Sequence, residues 1–223
     1  QIDINGDDIV EKLFVQKKND KVIVAVNSSS LVIDSNNPSD YFAVVDINKN
    51  DKYKEIVLGD YGPSDDYTSV FCYYDGKNII NMGKTEGLFN LENTLDGTLT
   101  IDSAGKILAM TRSRILQTWS YSKEFTLSKN HYLEAVPRAL YPTDDDVFVI
   151  QPFNLYLNKG DRNPILPIRE GQTLKIIGTD DQAWCLVQTT TGTKGWIAVK
   201  NFNVLENNGL KAEETFAGLC NID

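Results

Sequence analysis

Short stretches in which apolar and polar residues alternate recur through the first 140 residues of the chain. The alternation has a period of two and is rich in β-branched and aromatic residues, which favours half-buried strands over helices. Glycine, proline, asparagine and aspartate separate the stretches, as is typical of turns. The pattern predicts an all-β region with strands at residues 21–26, 41–45, 56–58, 68–74, 98–101, 107–111 and 117–121.

A break in this pattern falls at residues 142–146, where a proline closely precedes three consecutive aspartates. Proline interrupts regular structure, and a run of like charges favours solvent. We therefore expect a solvated linker here. The alternation then resumes, and strand-like segments sufficient for a small barrel lie at residues 155–157, 165–168, 174–178, 184–187 and 195–199.

The last part of the chain has a different pattern. Asn208 precedes residues 210–219, whose apolar side chains fall roughly on one side of a helix. Asparagine is a favoured helix N-cap, so we expect a short helix that packs on the body of the protein. The sequence thus predicts a β domain at residues 1–142, a barrel at residues 147–206 and a helical tail at residues 207–223.

Length and charge narrow the classes of function. A chain of 223 residues is long enough for two compact units. Its formal net charge of −9 repels phosphate groups, so we expect no nucleic-acid partner and no anionic lipid partner. No apolar run reaches the ~20 residues of a membrane span, so direct membrane insertion is not expected. The excess of carboxylates is compatible with divalent cations, with cationic partners or simply with solubility.

Two acidic segments form an internal repeat. Residues 3–11 are matched by residues 46–55, with an offset of 43 residues between the first aspartates, which is within the length of one propeller blade. Oxygen-bearing side chains at alternate positions let a tight loop close around a hard cation. In the first segment these side chains are those of Asp3, Asn5, Asp7 and Glu11. An EF-hand is excluded, because Asp8 stands where that loop needs glycine.

The repeat and its strand context resemble the calcium loops of FG-GAP or VCBS repeats, the blades of integrin-type β-propellers. The resemblance covers roughly residues 1–140 and includes the turn at residues 62–68. It implies bound calcium, with ligands at Asp3, Asn5, Asp7, Glu11, Asp46, Asn48, Asn50 and Glu55. For the second segment, Asx-turns without an ion are the alternative, because it is one residue longer and has asparagines in place of two aspartates. At most three blades fit before Pro142, too few to close a usual propeller.

The predicted barrel resembles a bacterial SH3 domain. The residues that carry the resemblance are the Glu170–Gly171 turn, the strand of Trp184, and the terminal residues 195–197. The resemblance implies binding of cell-wall peptide or peptidoglycan, or a role in holding neighbouring domains in place. Aromatic side chains would line the binding groove, and the candidates are Tyr156, Trp184, Trp196 and Phe202. Core packing is the alternative for the two tryptophans, whereas we expect Tyr156 to be exposed.

Catalysis is not expected from this sequence. Bacterial SH3 domains often accompany cysteine peptidases, which need a thiolate activated by a histidine. The single histidine, His131, follows Cys72 by 59 residues, but Cys72 lies in the middle of a predicted strand. Cys185 is interpreted as a core residue and His131 as a surface histidine in a polar turn. No nucleophile elbow, zinc-protease motif or phosphate loop is present.

Together these features predict a non-enzymatic protein of a bacterial cell envelope, extracellular or associated with the cell wall. Its partner would be cell-wall peptide, peptidoglycan or another surface protein. Two alternatives stay open: a structural spacer within a larger surface protein, and the accessory domains of a cell-wall hydrolase.

Overall fold

The computed structural model describes residues 2–63, 66–89 and 99–220. Residues 64 and 65 of the predicted turn, and residue 98 of a predicted strand, lie outside the described residues. Within the described part, strands and one four-residue helix make up the regular structure, so the prediction of an all-β protein with a short terminal helix is confirmed. In the same part of the chain, no helix has both the length and the apolar composition that crossing a membrane requires.

The chain forms two compact units. The first unit comprises Gln1–Thr111 and Ser122–Pro137, and the second comprises Arg112–Tyr121 and Arg138–Asp223. The polypeptide therefore passes from one unit to the other three times.

Three antiparallel sheets make up the first unit. Their strands are β1 (Leu13–Lys18), β2 (Lys21–Val26), β3 (Ser29–Asp34), β4 (Pro38–Val45), β5 (Glu55–Asp60), β6 (Thr68–Tyr74), β7 (Ile79–Glu86), β8 (Leu99–Ile101), β9 (Lys106–Ser113), β10 (Trp119–Leu127) and β11 (Leu133–Ala135). Sheet A has the order β1-β2-β3, sheet B the order β4-β5-β6-β7, and sheet C the order β11-β10-β9-β8. Neighbours in sequence are neighbours in each sheet, so each sheet is a simple meander.

Sheet B is buried on both faces. Successive residues of a strand point to opposite faces, and here both sets are apolar. Ile56 and Cys72 pack with residues of sheet A, whereas Val57 and Phe71 pack with residues of sheet C. All four side chains are at most 2% exposed. The three sheets are therefore stacked face to face, with one apolar core on each side of sheet B.

The second unit is a half-barrel. Its strands are β12 (Tyr141–Val149), β13 (Phe153–Leu155), β14 (Leu166–Ile168), β15 (Thr173–Thr179), β16 (Trp184–Thr189), β17 (Lys194–Lys200), β18 (Val204–Leu205) and β19 (Phe216–Ala217), with the helix α1 (Ala212–Thr215). Six strands form one sheet in the order β18-β17-β16-β15-β12-β19, and β13 pairs with β14 as a separate hairpin. The five strand segments predicted for the barrel correspond to β13 through β17.

Close packing of the hairpin on the sheet requires glycine at position 195. A Cβ atom there would lie 2.8 Å from the Cβ atom of Leu155. The next residues of both segments are paired, since Tyr156 and Trp196 form an isolated β-bridge. Glycine thus lets β13 approach β17, which closes one side of the half-barrel around buried Leu155.

Residues 142–146 do not form the predicted linker but lie inside β12. Asp145 pairs with Ile176 and Asp146 with Lys175 in β15, and an irregularity between Pro142 and Asp145 accommodates the proline. The acidic side chains are tolerated because burial in β12 alternates, with Val147 and Val149 facing the core. The alternation of buried and exposed positions therefore decided the structure of this segment, although its proline and aspartates are typical of a linker.

The terminal helix is shorter than its apolar pattern suggested. Lys211, not Asn208, is its N-cap, and the helix makes a single turn. Asn208 instead accepts a hydrogen bond from the N–H group of Leu210 in an Asx-turn. Phe216 leaves the helix and pairs with Val149 of β12, because strand pairing brings its ring into the buried core.

Candidate functional site

The two acidic segments share one arrangement, in which the residue after the first aspartate donates a backbone hydrogen bond to the glutamate that ends the segment. In loop 1 (residues 3–11), the N–H group of Ile4 donates a hydrogen bond of 3.0 Å to Oε2 of Glu11. In loop 2 (residues 46–55), the N–H group of Ile47 donates a hydrogen bond of 2.9 Å to Oε2 of Glu55. Both isoleucines are fully buried, and the glutamates are 2% and 0% exposed. The sequence repeat is therefore a repeat in three dimensions, held by a buried glutamate in each copy.

A third, shorter loop lies at the corresponding place in sheet C, between the first two strands of that sheet. Loop 3 (residues 102–106) joins β8 to β9, as loop 2 joins β4 to β5. The carbonyl oxygen of Ile4 accepts a hydrogen bond from Lys54 at the end of loop 2, and that of Ile47 accepts one from Gly105 in loop 3. Loop 1 is thus bonded to loop 2, and loop 2 to loop 3.

Backbone N–H groups already engage the ligand atoms proposed in loop 1. Asp3 accepts from Gly6 and Asp8, at 2.7 and 3.1 Å. Asn5 accepts from the N–H group of Asp7 and donates its amide to the Asp7 carboxylate. Burial acts to raise the pKa of Asp3, but these backbone N–H groups outweigh it and hold the pKa below its usual value. Loop 1 is closed by its own Asx-turns.

The start of loop 1 is fixed rather than frayed. The carbonyl oxygen of Ile2 accepts a 3.0 Å hydrogen bond from the N–H group of Glu11. Lys54 donates from its backbone to Ile4 and from its ammonium group to the carbonyl of Asp3, at 2.9 and 2.8 Å. Loop 1 is therefore anchored by Lys54 of loop 2.

Loop 2 uses its polar groups differently. Asn48 accepts from both the backbone and the side-chain amide of Asn50, which is the Asx-turn alternative set out from the sequence. Asp46 is half-buried, and its Oδ1 has no hydrogen-bond partner in the described residues. Glu55 is occupied at both oxygens, by Ile47 and by a histidine. The carboxylate of Glu55 is therefore already engaged, and loop 2 offers one carboxylate ligand fewer for an ion than its sequence implies.

The donor set of loop 1 fits a hard cation better than that of loop 2. Carboxylate and amide oxygens from Asp3, Asn5 and Asp7 are grouped in one tight turn, and Asp7 is exposed. In loop 2, by contrast, Glu55 is already bonded at both oxygens, and Asn50 stands where loop 1 has the Asp7 carboxylate. If calcium binds this unit, loop 1 is the place where the residues suit it.

His131 is not the surface histidine that the sequence suggested. Its side chain is 13% exposed, and its Nε2 lies 2.7 Å from Oε1 of Glu55. Its Nδ1 lies 3.9 Å from Oδ2 of Asp51. The rings of Tyr53 and Tyr73 pack against it, with centroids at 5.0 and 4.6 Å. The turn between β10 and β11 thus inserts its histidine into an aromatic niche beside loop 2.

Sequence reasoning missed this cluster. His131 lies 76 residues after Glu55, so no local motif joins them. The sequence carried only half of the signal: Asp51 precedes Glu55 by four positions, as Asp7 precedes Glu11 in loop 1. Only the stacking of sheet C on sheet B brings the histidine to them.

Three of the four aromatic candidates in the half-barrel come together. Tyr156 and Trp196 exchange backbone hydrogen bonds of 2.9 and 2.8 Å. The rings of Tyr156 and Trp184 meet edge to face, with centroids 5.2 Å apart. Trp184 and Trp196 are half-buried. Tyr156 is only 6% exposed, so the expectation of an exposed tyrosine is wrong, because backbone pairing and the edge-to-face contact both enclose it.

Phe202 stands apart from this group and is 67% exposed. It follows β17 with a φ of +70°, in the left-handed region that a bulky residue rarely adopts. Its carbonyl oxygen accepts a 2.7 Å hydrogen bond from Leu116, which fixes the turn. A strained backbone therefore holds this ring in solvent.

The buried cysteines do not provide a nucleophile. Burial raises the pKa of the Cys72 thiol to about 12 and that of the Cys185 thiol to about 12. Thiols with such values are protonated at neutral pH, whereas catalysis needs the thiolate. Cys72 is packed in the core between sheets A and B, as its place in the predicted strand implied.

Comparisons with protein-family models, with curated proteins and with solved structures gave no match to this chain.

Proposed function

We propose that this chain is a non-enzymatic binding protein of a bacterial cell envelope, extracellular or attached to the cell wall, and that its half-barrel recognises cell-wall peptide. The observation that carries the proposal is the exposed ring of Phe202, held at a φ of +70° beside the sheet that contains the tryptophans. Strained, exposed residues persist where function requires them. Tryptophan is frequent at the energetically dominant positions of interfaces.

The half-buried tryptophans lie together on one face of this sheet. In β16 and β17, Cys185 and Ile197 point into the core. Trp184 and Trp196 alternate with them and therefore lie on the opposite face of the sheet. A rigid aromatic face gives contact area at low cost in conformational entropy, which suits a peptide ligand.

Co-sedimentation with purified peptidoglycan tests the proposal. We expect the wild type to sediment with the cell wall and Phe202→Asn to bind at least about tenfold more weakly, as at a dominant interface residue. Asparagine tolerates positive φ, so this variant keeps the turn. Ile165→Asn is the matched control, because Ile165 is 62% exposed in the same unit.

Other outcomes select the alternatives. If neither the wild type nor the variants sediment with peptidoglycan, the binding proposal fails and the structural spacer is favoured. If the muropeptide profile changes during long incubation, the protein is part of a hydrolase.

We also propose that calcium stabilises loop 1. Asp3 accepts hydrogen bonds from backbone N–H groups of the loop, and the Asp7 carboxylate is exposed in the same turn. Bound calcium would neutralise the charge gathered in the loop. Millimolar calcium is expected to raise the melting temperature of the wild type but not that of Asp7→Asn, and an unchanged wild type would refute the proposal.

A further inference from the structure

His131 lies between two carboxylates of loop 2, one on each side of its ring. Nε2 lies 2.7 Å from Oε1 of Glu55, and Nδ1 lies 3.9 Å from Oδ2 of Asp51. One ligand atom from each of the three residues lies within 4.8 Å of the other two. The cluster is separate from the acidic turn of loop 1, and neither the half-barrel nor the calcium proposal uses His131.

Glu55 sets the tautomer of the imidazole. Its fully buried carboxylate accepts a hydrogen bond from Ile47 at Oε2, and Oε1 faces Nε2 of His131. A carboxylate accepts hydrogen bonds at both oxygens, so the 2.7 Å contact places a proton on Nε2. In the neutral ring, Nδ1 then carries the lone pair, and this lone pair is on the side of Asp51.

The gap between Nδ1 and Asp51 suits a metal ion and not a hydrogen bond. At 3.9 Å the two atoms are too far apart for a direct bond, and in the neutral ring both are acceptors. A zinc ion bonds to imidazole nitrogen and to carboxylate oxygen at about 2.0–2.2 Å each, so at a tetrahedral angle the two ligand atoms lie about 3.3–3.6 Å apart. The observed 3.9 Å is longer by about half an ångström, which a small shift of the partly exposed Asp51 side chain closes.

The surroundings of the ring are those of a metal-binding histidine. Such a histidine usually donates its other N–H group to a carboxylate, which fixes its orientation, and Glu55 occupies that position. Tyr53 and Tyr73 pack against the ring and hold it in place. The Asp51 side chain is 27% exposed, which leaves one side open to water ligands.

We propose that Nδ1 of His131 and Oδ2 of Asp51 bind a divalent transition-metal ion of the zinc type, with Glu55 orienting the imidazole and water completing the coordination. Imidazole with carboxylate favours zinc over calcium, which takes oxygen ligands only. The bound ion links the turn between β10 and β11 to loop 2, and so joins sheet C to sheet B. Binding displaces any proton on Nδ1, so affinity falls as pH is lowered.

Isothermal titration with zinc chloride tests the site. We expect one zinc ion per wild-type chain and no such binding by His131→Asn, whose asparagine tolerates the φ of +63° at this position. Asp51→Asn removes a metal ligand. We expect it to bind zinc at least about tenfold more weakly than the wild type, which is the minimum effect seen even for residues that only orient a ligand. The asparagine in this variant can still accept the hydrogen bond that Asp51 receives from the N–H group of Tyr53.

Asp7→Asn is the matched control, since Asp7 accepts from Ile9 in loop 1 as Asp51 accepts from Tyr53 in loop 2. It should keep wild-type zinc affinity while losing the response to calcium. If Asp7→Asn weakens zinc binding as much as Asp51→Asn, or if His131→Asn binds normally, zinc binds the acidic surface at large and the proposal is overturned.

Nitrogen NMR of the imidazole gives a readout that does not depend on variants, because the chain has a single histidine. Zinc is expected to shift the Nδ1 resonance and to leave Nε2 protonated. An Nδ1 resonance that stays unchanged through a zinc titration at pH 8 overturns the proposal, even if His131→Asn fails to fold.

Discussion

Loop 1 and loop 2 share a skeleton and differ in what surrounds it. In both, a buried isoleucine fills the core between two sheets, and its N–H group is bonded to a buried glutamate. Loop 1 keeps its carboxylates in one exposed turn, whereas loop 2 shares Glu55 with His131 from sheet C. One repeat can thus keep its structural bonds while the surroundings of its polar groups differ.

Substitution of the two buried glutamates is expected to give the largest difference in stability between the two loops. Glu55→Ala leaves the N–H group of Ile47 and Nε2 of His131 without their partner and is expected to lower the free energy of unfolding by about 2–6 kcal/mol, about twice the cost of one such group. Glu11→Ala leaves one N–H group unsatisfied and should cost about 1–3 kcal/mol. Guanidinium denaturation at pH 7 measures both. Equal losses would show that His131 adds nothing to loop 2.

The buried isoleucines should behave alike. Ile4→Ala and Ile47→Ala each remove a fully buried side chain, at a cost of about 2–5 kcal/mol. Ile4 belongs to the core between sheets A and B, and Ile47 to the core between sheets B and C. We expect the double variant to show additive losses within about 0.5 kcal/mol. Strong coupling would contradict two separate cores.

Gly6 marks a smaller difference between the loops. It has a φ of +70°, and a Cβ atom there would lie 2.6 Å from the carbonyl oxygen of Lys52. Gly6→Ala should therefore cost at least about 1–2 kcal/mol. The equivalent Lys49 is exposed and has no positive φ, so Lys49→Ala should stay within about 0.5 kcal/mol of the wild type. Urea denaturation compares the two, and equal effects would count against the strain.

The smallest expected effect is a dependence on pH at Asp3. Backbone N–H groups hold its folded pKa below the ordinary value of 3.8. A lowered pKa contributes stability above that value, and the contribution is lost as pH falls through the folded pKa. The melting temperature of the wild type should therefore fall more steeply below pH ~4 than that of Asp3→Asn. Parallel profiles would show that the carboxylate is not engaged.

Much of the fold could be predicted from the sequence, because a strand declares itself through local alternation. In β15, Leu174 and Ile176 are buried and Lys175 between them is only half-buried, as the alternation predicts. Residues 142–146 misled for the converse reason, since proline and aspartate are local signals and the pairing of β12 with β15 is not. The alternation was the better guide because it reports on the core.

The candidate sites were less predictable. The repeat located both loops and named Glu55, but its partner His131 lies 76 residues away. Tyr156 was expected in solvent, yet backbone pairing with Trp196 encloses it. In both cases a contact between distant segments decided the environment of the side chain.

The sequence by itself therefore determined the class of fold, the repeat of the acidic loops and the presence of a single histidine. Each follows from composition or from short spacings along the chain. The tertiary structure alone decided which carboxylates are exposed, which face of the half-barrel carries the tryptophans, and that the single histidine meets loop 2. Those features depend on how sheets stack, and stacking joins residues whose separation along the chain carries no local signal.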